Sequence, residues 1–166
     1  MKKTTITIIL ILICTFSYGQ ETKIFKKDNI SFEYPVEWIN RDFPSFYILV
    51  SEPPKEKMSV MTTFDVAVEK DYKSLKEFCD SYENKMLTNE QFNDFKIKTK
   101  NKIDYKGMKA TEYNCTANVS YLPIEWKSII FMNDGKIYKL STTSMIGQFY
   151  LIKETTEKIF DSFKIE

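Results

Sequence analysis

The chain has 166 residues, with 24 basic and 23 acidic side chains and a formal net charge of +1. A near-neutral chain has no global pull on nucleic acid or anionic lipid, and many aromatics with only four glycines describe a packed core, not a disordered segment. There is no histidine, which excludes Ser-His-Asp and Cys-His catalysis, His-ligated zinc and the usual near-neutral proton shuttle.

Residues 1–19 read as a cleavable export signal. Lys2 and Lys3 give a positive start, Ile6 to Ile13 is apolar apart from Thr7, and Ser17 and Gly19 are small residues at the minus-three and minus-one positions of a cleavage before Gln20. The apolar run is shorter than the roughly 20 residues that span a bilayer, and no later stretch is long and apolar enough. Removing 19 residues leaves 147, one domain over 20–166, and takes away two lysines, so the charge becomes −1. The expected location is the periplasm or the medium. Cys14 would be the lipidated residue of a lipoprotein, but Ile13 precedes it where a small residue is needed, so lipidation is not expected.

Ile30 to Tyr34 alternates, with Ile30, Phe32 and Tyr34 on one face, and Pro35 stops it. Trp38, Phe43, Phe46 and Tyr47 then crowd a stretch that also holds Arg41 and Asp42. Aromatics and Arg dominate binding hot spots, so Arg41, Phe43 and Tyr47 are candidate partner contacts, while Trp38 and Phe46 plug the edge of the core. Phe46 to Val50 is a short strand closed by Pro53 and Pro54; Ser59 to Glu69 is a longer one.

The period changes at Leu75, Phe78, Cys79, Tyr82 and Met86, which predicts an amphipathic helix over 73–88, ended by Asn89 in a left-handed conformation. Strands follow over 95–105 and 108–119, joined by a turn at Lys106-Gly107. Ile124 to Asn133 then pairs with Lys136 to Ser144 through Asp134-Gly135, a strong short-range hairpin signal. A last helix over 148–163 presents Phe149, Ile152, Ile159, Phe160 and Phe163. The expected fold class is α+β, a mostly antiparallel β-sheet packed between helices.

Two further features bear on function. Cys79 and Cys115 both point at apolar layers, either as buried unreactive thiols or as a helix-to-sheet disulfide worth roughly 3–4 kcal/mol. Lys96, Lys98, Lys100 and Lys102 alternate along a strand, which places four ammonium groups on one face. That face is either solvated, with lysine blocking edge-to-edge aggregation, or a basic surface for an acidic partner, head group or polysaccharide. The carboxylates form no calcium loop. No catalytic residue, metal ligand or cofactor is assigned.

Four motifs in order carry a family resemblance. They are Phe32-Glu33-Tyr34-Pro35-Val36-Glu37-Trp38, Gly107-Met108-Lys109-Ala110-Thr111-Glu112-Tyr113, Asp134-Gly135-Lys136-Ile137-Tyr138-Lys139-Leu140 and Ile159-Phe160-Asp161-Ser162-Phe163. Together they resemble PsbP-like domains, including bacterial exported PsbP-like and DcrB-like envelope proteins. The resemblance implies an antiparallel sheet sandwiched by helices and a habit of docking on other proteins, with no shared reaction. Family members include an extrinsic subunit of the photosynthetic water-splitting complex, a Ran-binding nuclear-import factor and bacterial envelope proteins. The histidine-associated metal sites of the plant member do not carry over to a chain without histidine. The expectation is a non-enzymatic exported accessory or binding protein of the bacterial envelope, docking on a protein or envelope surface and not on nucleic acid. The alternative is a carrier of a small apolar ligand in a cavity between sheet and helix; a thiol or carboxylate hydrolase ranks third.

Overall fold

The computed structural model describes residues 21–41, 47–52 and 62–166; the signal and Phe43 and Phe46 lie outside them. The elements are β1 (Thr22–Lys27), β2 (Ile30–Pro35), β3 (Ile39–Arg41), β4 (Ile48–Ser51), β5 (Thr63–Glu69), α1 (Leu75–Thr88), β6 (Phe92–Tyr105), β7 (Met108–Val119), β8 (Leu122–Asn133), β9 (Lys136–Met145), α2 (Phe149–Ser162) and β10 (Lys164–Ile165). A seven-stranded sheet runs in the order β3-β4-β5-β9-β8-β7-β6, and a small sheet in the order β1-β2-β10. Every pairing is antiparallel, so the α+β fold class stands.

The large sheet is covered on both faces. On one side α2 and the small sheet bury Phe32, Phe64, Phe131, Tyr138, Phe160 and Phe163. On the other side α1 buries Phe78, Cys79 and Tyr82 against Tyr113, Cys115, Trp126 and Ile130. Double coverage explains the unbroken apolar run Ile129-Ile130-Phe131 in β8. Ile129 and Phe131 enter the first core and Ile130 the second, as the two-residue period of a strand requires.

Ser74 caps α1 by accepting from the Glu77 amide at 3.1 Å. The helix does not end in a left-handed residue. Asn89 has φ −80° and ψ 110°, and it closes the helix instead by accepting from the Gln91 amide through Oδ1 and from the Phe92 amide through its carbonyl. A local Asx-type turn replaced the expected cap because the chain must enter β6 within three residues. The carboxy end of α2 is held by the β6–β7 turn. Lys106 Nζ donates to the carbonyls of Asp161 and Phe163, and Tyr105 Oη donates to that of Phe160.

The pairing of β6 with β7 shifts register twice, between Asn93 and Lys96 and between Ile97 and Thr99. The second shift leaves Lys98 as the extra residue of a bulge, and this corrects the single lysine face. Ile97 lies opposite Cys115 on the α1 side and Lys96 opposite Thr116 on the other; beyond the bulge, Lys100 and Lys102 lie opposite Tyr113 and Thr111, on the α1 side. A bulge inverts side-chain parity, so an alternating sequence no longer means one face.

Candidate functional site

Cross-strand register places one row of residues across the whole α1 face: Arg41, Leu49, Asp65, Ser141, Ser128, Tyr113 and Lys100. The helix sits over the β6–β8 end of this row. Glu83 of α1 receives Lys100 Nζ and Tyr113 Oη, both at 2.5 Å. Burial pushes the Glu83 carboxyl up, but these two donors outweigh it and hold the group below its ordinary range. Burial, with Glu83 and Cys79 beside it, pushes the Tyr113 phenol up. The preceding residue, Tyr82, accepts from Trp126 Nε1 at 2.9 Å. These bonds fix the angle at which α1 crosses the sheet.

Between α1 and the β6–β7 hairpin this geometry leaves a groove of about 520 Å³. Its apolar side chains come from Leu75 and Cys79, while Ile103 and Ala110 border it with their side chains turned into the larger core, and Lys76, Lys100, Lys102 and Lys109 contribute cations with Asp80 among them. Lys76 is bonded to Asp80 at 2.6 Å and Lys100 to Glu83. Lys102 and Lys109 have no ion pair among the described residues. A groove with apolar side chains on its helix wall and two uncommitted ammonium groups can take an amphipathic anion, because contact with that wall and charge pairing are satisfied together.

The middle of the same row is polar and sealed. Ser128 and Ser141 share a hydrogen bond at 2.9 Å. Asp65 is buried, its Oδ2 has no hydrogen-bond partner, and the Lys139 ammonium stands 3.9 Å away. Burial raises the Asp65 carboxyl to about 6, against a smaller lowering by Lys139. Among the described residues no three His, Cys, Asp or Glu side chains gather as a metal site would require.

Arg41 ends β3 and gives Nε to Ser51 Oγ at 2.5 Å. Tyr47 is half-buried against the larger core, with the Lys27 ammonium 4.4 Å from its ring centre. Arg41 thus belongs to the α1 face and Tyr47 to the other core, while Phe43 lies outside the described residues. Trp38 is buried in the larger core. Cys79 and Cys115 are both buried and both free thiols; burial, then the charge of Glu83, pushes Cys115 up to about 12, which leaves a negligible thiolate fraction at neutral pH. The groove was not visible in the sequence, because its walls come from residues some thirty positions apart. The alternation of lysines along 96–102 was its one local signal. No helix among the described residues is long and apolar enough to cross a membrane.

A family model described as PsbP-like protein matches residues 6–165. Among solved structures, the fold is similar to CyanoP, the cyanobacterial PsbP of Synechocystis, with 14% identity and a TM-score of 0.67 over 92% of this chain and 97% of that one. It is similar to LpqN of Mycobacterium tuberculosis, described as involved in cell envelope biogenesis, at 10% identity and a TM-score of 0.60 over 89% and 87%. It is also similar to the Ran-binding protein Mog1p of Saccharomyces cerevisiae, at 8% identity and a TM-score of 0.62 over 89% and 96%. At these identities the likeness is one of fold alone. The sequence matches no curated protein. With four ordered motifs, the antiparallel sheet between helices and a family match over nearly its whole length, the chain belongs to the PsbP-like protein family.

Proposed function

We propose that the protein is a non-enzymatic accessory protein of the bacterial cell envelope, exported by residues 1–19, which holds an acidic amphipathic segment of a partner protein in the groove between α1 and the β6–β7 hairpin. The observation that carries this reading is the pair Lys102 and Lys109, uncommitted beside the apolar side chains of Leu75 and Cys79. The envelope setting draws support from the export signal and from the fold shared with LpqN, a protein described as involved in cell envelope biogenesis. A non-enzymatic role is supported by the sealed position of Asp65 and by the suppressed thiol of Cys115. Arg41, Phe43 and Tyr47 remain a second proposed partner contact.

A carrier role is the second reading, favoured by the size of the groove, which falls within the roughly 300–1,000 Å³ usual for ligand sites. Native mass spectrometry of the protein isolated gently from its host separates the two, since a small-molecule adduct supports the carrier and a co-isolating chain the docking protein. Calorimetric titration with a Leu- and Glu-rich peptide then tests the groove. Binding that weakens with salt and disappears in Lys102→Glu with Lys109→Glu is expected. Equal binding by this double variant, or equal binding of a Lys-rich peptide, would remove the groove as the site.

A further inference from the structure

At the end of the large sheet opposite the β6–β7 turn, two segments carry no charge at all: residues 113–124 and 140–152. The chain as a whole is 28% charged. The fold brings the tips of these segments together. Ile124 lies opposite Met145, the Ile146 amide donates to the Pro123 carbonyl at 3.1 Å, and Glu125 accepts from the amides of Gly147 and Phe149. That turns the carboxylate of Glu125 inward to the backbone of the loop before α2. The tip shows large apolar and aromatic side chains to solvent, with the exposed Asp94 of β6 accepting from Asn118 at its margin. Tyr121 is 97% exposed, Tyr150 73% and Leu151 67%, with Ile146 and Leu122 exposed beside them.

The backbone at the apex is strained. Val119 pairs with Leu122, so Ser120 and Tyr121 make a two-residue hairpin turn, with φ +49° and +70°. Such turns favour Asn-Gly because both positions need positive φ. A bulky tyrosine there is an outlier, and strain of this kind clusters where a side chain has work to do.

We infer that this charge-free tip seats the protein on a lipid bilayer, with Tyr121, Tyr150 and Leu151 entering the head-group boundary. The patch is of the order of a few hundred Å², short of the roughly 800 Å² per partner that a stable specific protein interface buries. Tyrosine suits the boundary because its ring is apolar and its hydroxyl stays wet. No lysine or arginine lies in either segment, so the attachment is apolar and indifferent to lipid charge. The site is separate from the groove and does not depend on the function proposed for it.

The test is sedimentation of the purified processed protein with vesicles of phosphatidylcholine alone and of phosphatidylcholine with phosphatidylglycerol, at low and high salt. Equal binding to both, unmoved by salt, is expected. Tyr121→Gly with Tyr150→Ser and Leu151→Ser should weaken it by roughly tenfold or more. These side chains are exposed, so folding is retained, and circular dichroism confirms it. Three outcomes overturn the inference. One is no binding to either vesicle. Another is binding only to the anionic vesicle with loss in salt, which would assign it to the lysines. The third is a concentration-dependent dimer that the triple variant dissociates without vesicle binding, which would make the tip a contact between two copies.

Discussion

Asp65 offers the sharpest quantitative test. Its carboxyl is sealed under the α1 face with one oxygen unbonded, and burial raises its pKa from 3.8 to about 6. At about 1.36 kcal/mol per pH unit, that difference amounts to about 3 kcal/mol of native-state penalty for carrying the charge. The sign follows from proton linkage. Below pH 4 the group is protonated in both states and contributes no penalty. Between about 4 and 6 the unfolded chain has released the proton while the folded one retains it, so stability falls as pH rises. Above about 6 the penalty is complete.

Asp65→Asn removes the charge at nearly constant shape. The attraction to Lys139 at 3.9 Å already offsets part of the burial cost within that net rise. The variant should be about 2–3 kcal/mol more stable than the parent at pH 7.5, and the two should converge near pH 4. Urea unfolding of both proteins at half-unit steps from pH 4 to 8 measures this, and the difference between them cancels every other titrating group. A variant that loses stability relative to the parent as pH rises would show that Lys139 stabilises the ionised carboxylate more than burial penalises it, and a gap that does not change with pH would show that the two cancel.

The other expectations concern single side chains. Tyr82→Phe should cost about 1–3 kcal/mol, because it strands the buried Trp126 indole N–H without an acceptor; unchanged thermal unfolding would mean that another acceptor takes over. Tyr121→Gly should stabilise the protein by about 1 kcal/mol, since glycine adopts positive φ freely and the tyrosine ring there is in water; a lower unfolding midpoint would refute the strain. Cys79 and Cys115 should resist iodoacetamide in the folded protein and react fully in urea, with an intact mass equal to that of the reduced chain. A mass two protons lower would instead establish the disulfide between them.

What was legible in the sequence was what local chemistry decides. Asp134-Gly135 demanded a tight turn, and it joins β8 to β9 with Asp134 at φ +48° and Gly135 at φ +71°. The spacing of Leu75, Phe78, Cys79 and Tyr82 required a helix, and Ser74 starts it one residue inside the expected bounds. The faces of β6 were not legible, because a bulge is settled by the partner strand. The one local hint was Asn93-Asp94, a pair tolerant of positive φ, and Asp94 does sit at φ +54°. The burial of Asp65 was hidden for a related reason. Alternating with Phe64 and Val66, it has the pattern of a solvent-facing residue, and only the tertiary packing seals that face. Ser120-Tyr121 carries no glycine and so gave no turn signal, although the uncharged runs on either side of it are plain in the sequence.

The tip and the groove lie at opposite ends of one strand. From Lys109 to Tyr121 the chain runs twelve residues, almost all of them in β7, a span of roughly 40 Å at about 3.3 Å per residue. A molecule seated by its tip would therefore hold the groove a long way above the lipid surface, far beyond the roughly 8 Å Debye length of physiological salt. Head-group charge would not reach Lys102 or Lys109, and the two sites should act independently. Lys102→Glu with Lys109→Glu should leave vesicle binding unchanged. The tip variant should leave titration of the acidic peptide unchanged, and peptide affinity should be the same with and without phosphatidylcholine vesicles present. Strand pairing along β7 is continuous with β8 from Ala110 to Val119, so the sheet between the sites acts as a rigid spacer. If either variant altered binding at the other end, the spacer would have to deform, and the separation of the two roles would fail.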